Sequence, residues 1–151
     1  MIIVIYIIII LNSILSFENS FLVEFFLEYE GRYVVYANEY QVDKLESVDI
    51  VKNYNGQILA TDIENSSTIL CGIEKLTSEK IVLCDISIED ISSILDMDIL
   101  EIVYINDGLI LYNCFTKNLP RKVVCDKGYM NIQVAMTHDI VNIGYPYLVD
   151  Y

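Results

Sequence analysis

Tryptophan is absent from this 151-residue chain, histidine occurs once, and proline and glycine number only two and six. Each scarcity excludes something. A single histidine, His138, cannot supply an imidazole ligand set, and nothing in its Thr137-His138-Asp139 context ties it to a serine or cysteine nucleophile; it reads as a surface histidine. The glycines are scattered at turn positions, so no glycine-rich phosphate loop is present. Basic residues are few, nine against 22 acids, for a formal charge of −13. Such a surface repels phosphate backbones and anionic membrane faces, which sets nucleic-acid binding aside. Cysteines number four, Cys71, Cys84, Cys114 and Cys125, without a CxxC pair among them. That spacing argues against a thioredoxin-like motif and against zinc. The neighbouring acids Glu89, Asp90, Asp96 and Asp98 lack the glycine and further oxygen ligands of a calcium loop. No catalytic, cofactor or metal site is therefore assigned, and the reading is non-enzymatic.

What the chain does have is apolar residues, 54% of the total, 12 tyrosines among them. That content excludes disorder, and the length suits one domain. The start, MIIVIYIIIIL, is an unbroken apolar run. It matches the hydrophobic region of a secretory signal and falls short of the roughly 18 residues that a membrane span needs. Residues 1–17 are expected to be a signal peptide, with a short N-terminal anchor or a buried first strand as alternatives, and residues 18–151 a single domain. An even cysteine number in a secretory chain argues for disulfides. Four cysteines allow three pairings, and the spacing does not choose among them. Asn65-Ser66-Ser67 is the one N-glycosylation sequon.

Along the domain, period-two alternation dominates. FLVEFFLEYEGRYVVYA (residues 21–37) predicts two strands joined near Glu30-Gly31. Val42, Leu45, Val48 and Val51 then recur every three residues, which predicts an amphipathic helix over 41–53, stopped by Asn55-Gly56. GQILATDI, STILCGI and SEKIVLCDISI predict strands, and IEDISSILDMDI a short helical turn. In LEIVYINDGLILYNC, Asn106-Asp107-Gly108 predicts a hairpin with a type I turn and a glycine bulge. TKNLPRK reads as an exposed loop, VVC and GYMNIQVAM as the last strands, and IVNIGYPYLVDY as a tail that packs back or docks on a partner. The sum is a mainly β, antiparallel, two-layer sandwich with one amphipathic helix, stapled by disulfides.

The order of these features resembles the lumenal domain of the ER membrane protein complex subunit 10 family. The resemblance rests on a signal followed by acidic, aromatic strands and on LESVDIVKNYNGQILATDI. It continues through a strand ending in cysteine, EKIVLCDISIEDISS, the hairpin LEIVYINDGLILYNC, the cysteine in RKVVCDKG, and MNIQVAM leading to IGYPY. It covers about residues 22–147 and lies in the order of the motifs more than in any one of them. It implies a disulfide between Cys84 and Cys125, and leaves Cys71 and Cys114, both expected at strand ends, for a second. It further implies a lumenal accessory subunit that supports insertion of transmembrane segments into the ER membrane by packing against the lumenal domains of other subunits. Many family members continue into a tail with a membrane span. This sequence stops at Tyr151, so membrane association is expected through partners. The competing reading is a secreted β-sandwich module, viral or parasitic, that binds a host protein.

Overall fold

A computed structural model describes residues 21–150; the expected signal segment, residues 1–17, lies outside the described residues. The chain is mainly β. Eight strands hydrogen-bond into one continuous antiparallel sheet, in the order β2-β3-β1-β4-β10-β9-β6-β5. These are β1 (Arg32–Ala37), β2 (Asp49–Asn53), β3 (Gly56–Asp62), β4 (Ser78–Cys84), β5 (Met97–Asn106), β6 (Leu109–Thr116), β9 (Ile132–Met136) and β10 (Ile140–Tyr145). A separate ladder pairs β7 (Val123–Cys125) with β8 (Gly128–Met130). Two short helices, α1 (Ser66–Gly72) and α2 (Ile88–Leu95), and two 3-10 turns, Leu22–Phe25 and Ile63–Asn65, complete the elements. Residues of both helices and of the first 3-10 turn pack with strand residues in the core.

Alternation explains the core. Tyr33 and Val35 of β1, Leu59 of β3, Ile81 and Leu83 of β4, and Val141, Ile143 and Tyr145 of β10 are all buried on one face. Ile132, Val134 and Cys114 extend that face across β9 and β6. Leu22, Val23 and Phe26 cover it from the N-terminal turn, with Ile69 of α1 and Ile91 and Leu95 of α2 alongside. Burying an aliphatic side chain of this size stabilises by about 1.5–3 kcal/mol. The opposite face has a small apolar cluster, Leu111, Ala135 and Leu148. Residues after β10 lie across it, where Asp150 accepts a hydrogen bond from Tyr36 at 2.6 Å and pairs with Lys80.

Several elements depart from expectation. The stretch expected as the first strand holds the 3-10 turn Leu22–Phe25 instead; the buried set Leu22, Val23, Phe26 has the spacing of a helical turn. The helix expected over 41–53 does not form. Residues 41–48 run as an irregular loop and 49–53 are β2. Buried Gln57 and Thr61 on β3 explain this, since their side chains hydrogen-bond the backbone of Gln41 and Val42 and of Ser47. Those bonds replace the ladder that a helix would have offered. Val42, Leu45 and Val48 still reach the core, as loop anchors. Asn55-Gly56 closes the β2–β3 hairpin: Asn53 pairs with Gly56, leaving Tyr54-Asn55 as the loop. Gly56 has φ +131°, which L side chains rarely adopt.

STILCGI is α1, seeded by the preceding 3-10 turn and docked through buried Ile69. The β5–β6 hairpin forms as expected, but its register closes on Asn106↔Leu109, a two-residue loop, and the irregularity falls at Ile105 within the strand. The side chain of Asn106 accepts from the Gly108 N–H at 3.0 Å, which shapes the turn without a left-handed glycine. The segment expected as a tail contributes β10, an interior strand between β4 and β9.

Candidate functional site: a buried carboxylate and an open sheet edge

Glu79 is the most unusual polar residue of the core, with no exposed surface. It lies on β4 between Val35 and Tyr145 on the neighbouring strands, in phase with buried Ile81 and Leu83. Its Oε1 accepts from the Tyr33 hydroxyl at 2.6 Å, and its Oε2 from the Leu22 N–H at 3.2 Å. The Arg121 guanidinium stands 3.7 Å from Oε2. Burial pushes the Glu79 carboxyl up to about 7; the bonds from Tyr33 and Leu22 and the charge of Arg121 oppose that rise without cancelling it. Burial, then the Glu79 charge, also holds the Tyr33 hydroxyl well above its ordinary range.

Arg121 itself is half-exposed. Its Nη1 donates to the carbonyls of Leu76 and Thr77 at 3.2 and 3.0 Å, its ring-facing plane lies 4.6 Å from the Tyr145 centroid, and its backbone N–H donates to the Tyr145 hydroxyl at 2.8 Å. Buried Asn131 fixes the preceding residues by bonding Thr116 N–H, Thr116 C=O and Leu119 C=O at 2.8 Å each. The TKNLPRK loop is therefore anchored through buried Leu119 and half-buried Arg121, which departs from its expected exposure, while Lys117, Pro120 and Lys122 are exposed as expected. Its basic residues had partners that no local pattern announces: Glu79 and two carbonyls for Arg121, and the Tyr129 ring at 4.3 Å for Lys122. The cluster has the acid–base character of an active site but no access. A surface cavity of about 550 Å³ is lined by residues 27–32 and 62–64, and Glu79 does not reach it. The carboxylate acts as a clasp that joins the N-terminal turn, β4 and the 117–122 loop.

Among the described residues the sheet has two edges, β2 and β5, and they differ. β2 is five residues long and carries Lys52, which pairs with Asp43 at 2.6 Å. β5 is ten residues long and has neither lysine nor proline. Its cross-strand partners place Ile99, Ile102 and Tyr104 on the face of Cys114, Tyr112 and Ile110. Those three side chains are 41%, 46% and 74% exposed, and Ile105 is exposed as well. Edge strands are ordinarily blunted by charge, proline, bulges or brevity; β2 has brevity and a lysine, whereas β5 is long and has only Asp98, Glu101 and two register irregularities.

The other residues singled out in the sequence are dispersed. Cys71, Cys84, Cys114 and Cys125 are all free thiols, so the expected staples are not formed in this structure. Cys84 faces Ile140, Cys125 faces Gly128, and Cys114 lies between Ile99 and Ile132, so no two cysteines are cross-strand partners. Cys71 is exposed on α1; Cys114 is fully buried, and burial pushes its thiol up to about 12. Asn65 precedes α1 at its N-cap and is half-buried. His138 is exposed, 3.9 Å from Asp139. Among the described residues no cluster of three or more His, Cys, Asp or Glu side chains is arranged to hold a metal, and no helix is long and apolar enough to cross a membrane.

Comparison with protein-family models, with curated proteins and with solved structures finds no match to this chain. Glu79 was missed in the sequence reading, although one signal was available. In SEKIVLC, period two places Glu79 in register with Ile81 and Leu83, so the alternation itself sends a carboxylate inward.

Proposed function

We propose that this protein is a non-enzymatic interaction subunit, held on the lumenal side of the ER membrane protein complex and supporting insertion of transmembrane segments there. The observation that carries the reading is the open β5 edge with its exposed isoleucines and tyrosine, a surface suited to another protein rather than to a small substrate. The order of motifs that resembles the subunit 10 family supplies the compartment and the partners, the lumenal domains of the other subunits. The ionisable cluster at Glu79 supports the same reading, because it is sealed and spent on holding the fold together.

Finer features belong to this reading. They are a two-layer sandwich arrangement of the β layers, a Cys84–Cys125 disulfide formed in the oxidising lumen, a second bond between Cys71 and Cys114, and a glycan on Asn65. Non-reducing peptide mapping of protein from its native host tests the first bond, and a free Cys84 thiol there would sink it. The reading as a whole is tested by solubilising membranes in detergent and purifying the tagged chain. Stable recovery with multipass ER proteins is expected. Recovery as a free monomer from the medium would instead identify a secreted binding module, and hydrolytic turnover lost on His138→Ala would identify an enzyme.

A further inference from the structure

We infer that the β5 edge is a docking site for an extended apolar segment of a partner protein that carries lysine or arginine at its ends. The inference deepens the interaction-subunit reading and rests on it for the partner's setting. Three observations support it. The first is the open hydrogen-bonding side of a ten-residue strand, paired among the described residues to β6 alone. Backbone groups on such an edge are a template for a further strand. Register irregularities at Leu100 and Ile105 leave Glu101–Tyr104 as the regular stretch, so the incoming strand is short.

The second is side-chain recognition. Ile99, Ile102 and Tyr104 stand on one face of the edge, beside half-buried Tyr112 and Ile110 of β6. An added strand would set alternate apolar side chains against that row. The bulges would bend the edge in the manner of a protective device, but β5 has neither the lysine nor the proline that often accompanies one.

The third is charge. Between Lys80 and Lys117 the chain has seven aspartates and glutamates and no lysine or arginine. Asp98 and Glu101 lie on β5 itself, and Asp107 lies at the hairpin tip. A second copy of this chain would bring the same acids together, on bodies that each carry −13. A segment with basic flanks would neutralise them and associate faster.

The test uses the full chain, isotope-labelled for amide NMR, and two synthetic peptides. Both are nine residues of alternating valine and threonine; one has lysine at both ends, the other glutamate. With the lysine peptide added to about 1 mM, a range suited to weak strand addition, amide shifts are expected on β5 and not on β2. The glutamate peptide is expected to bind about tenfold more weakly or worse. The double variant Ile102→Lys/Tyr104→Lys alters two exposed side chains, so it should keep the thermal midpoint and lose lysine-peptide binding at least about tenfold. Shifts centred on β2, equal binding of both peptides, or undiminished binding to a folded double variant would each overturn the inference. So would a native dimer in sedimentation that the double variant converts to monomer, since the occupant would then be a second copy. Co-purification separates the two levels. Peptide binding at β5 by a chain that never associates with ER membrane proteins keeps this edge and removes the complex, whereas association retained by the double variant keeps the complex and removes this edge.

Discussion

Replacing Glu79 by glutamine should flatten the dependence of stability on pH between about 5 and 8. The carboxyl sits at about 7 in the folded protein against 4.5 when exposed. Between those values the folded state keeps a proton that the unfolded state has lost. Stability therefore falls as pH rises through this window. The contribution is fully present below 4.5 and is gone once pH passes the folded value. The difference, 7 less 4.5, is about 2.5, and each pH unit is worth about 1.4 kcal/mol, so the fall is about 3 kcal/mol. Glutamine keeps the shape and can still accept from Tyr33 or Leu22, but it does not titrate. Urea unfolding of both proteins at pH 5, 6, 7 and 8 measures the effect. The comparison removes the contribution of the surface acids, which is common to both. Tyr33, which faces the carboxyl from β1, stays in one protonation state over this range, because burial and the Glu79 charge hold its hydroxyl well above the ordinary value. Parallel curves for the two proteins would refute the reasoning, because the pH dependence would then belong to the exterior and Glu79 would be paired well enough to remain charged.

Three further outcomes are expected. Gly56→Ala should cost more than about 2 kcal/mol in chemical denaturation, because φ is +131° and the added Cβ would fall 1.9 Å from the Ala37 carbonyl oxygen. Asn131→Ala should cost about 2–3 kcal/mol by the same measurement, since it strands the buried N–H of Thr116 and leaves two carbonyls without their donor. Limited proteolysis of that variant should also open the chain at Arg121, which native protein protects. In fully reduced protein, iodoacetamide should label exposed Cys71 and Cys84 first and Cys114 only on unfolding, as mass spectrometry of peptides would read; early labelling of Cys114 would contradict its burial.

The parts of this fold that local pattern reveals are those held by local pattern. β1, β3, β4, β6 and β9 send alternate apolar residues into the core, a pattern interrupted in β6 and β9 where Leu111 and Ala135 join the cluster on the other face, and the β5–β6 turn is written in Asn106-Asp107-Gly108. The elements that were misread depend on distant partners. Leu22–Phe25 turns because Glu79, 57 residues on, receives its first N–H. Residues 41–48 stay irregular because Gln57 and Thr61 satisfy their backbone, and the 117–122 loop is docked because Asn131 and Tyr145 bind it. Tertiary hydrogen bonds of this kind leave no periodic trace in sequence. The candidate edge was half-legible: the hairpin was evident, but that β5 ends the sheet follows only from the strand order.

That strand order sets a timetable for the newborn chain. β2, β3, β1 and β4 come from residues before 85, and β5, β6 and β9 from residues 97–136, yet the two groups meet only through β10. While residues 140–145 remain within the ribosome, β4 and β9 each present a raw, sticky border. β10 folds back on β9 as a short hairpin, but its pairing with β4 joins Ile140 to Cys84, a long-range closure of the kind that slows folding and lengthens the exposure of nascent chains to aggregation. A permuted chain that places residues 137–150 ahead of residue 21 would shorten the wait and should reach the soluble state in higher yield.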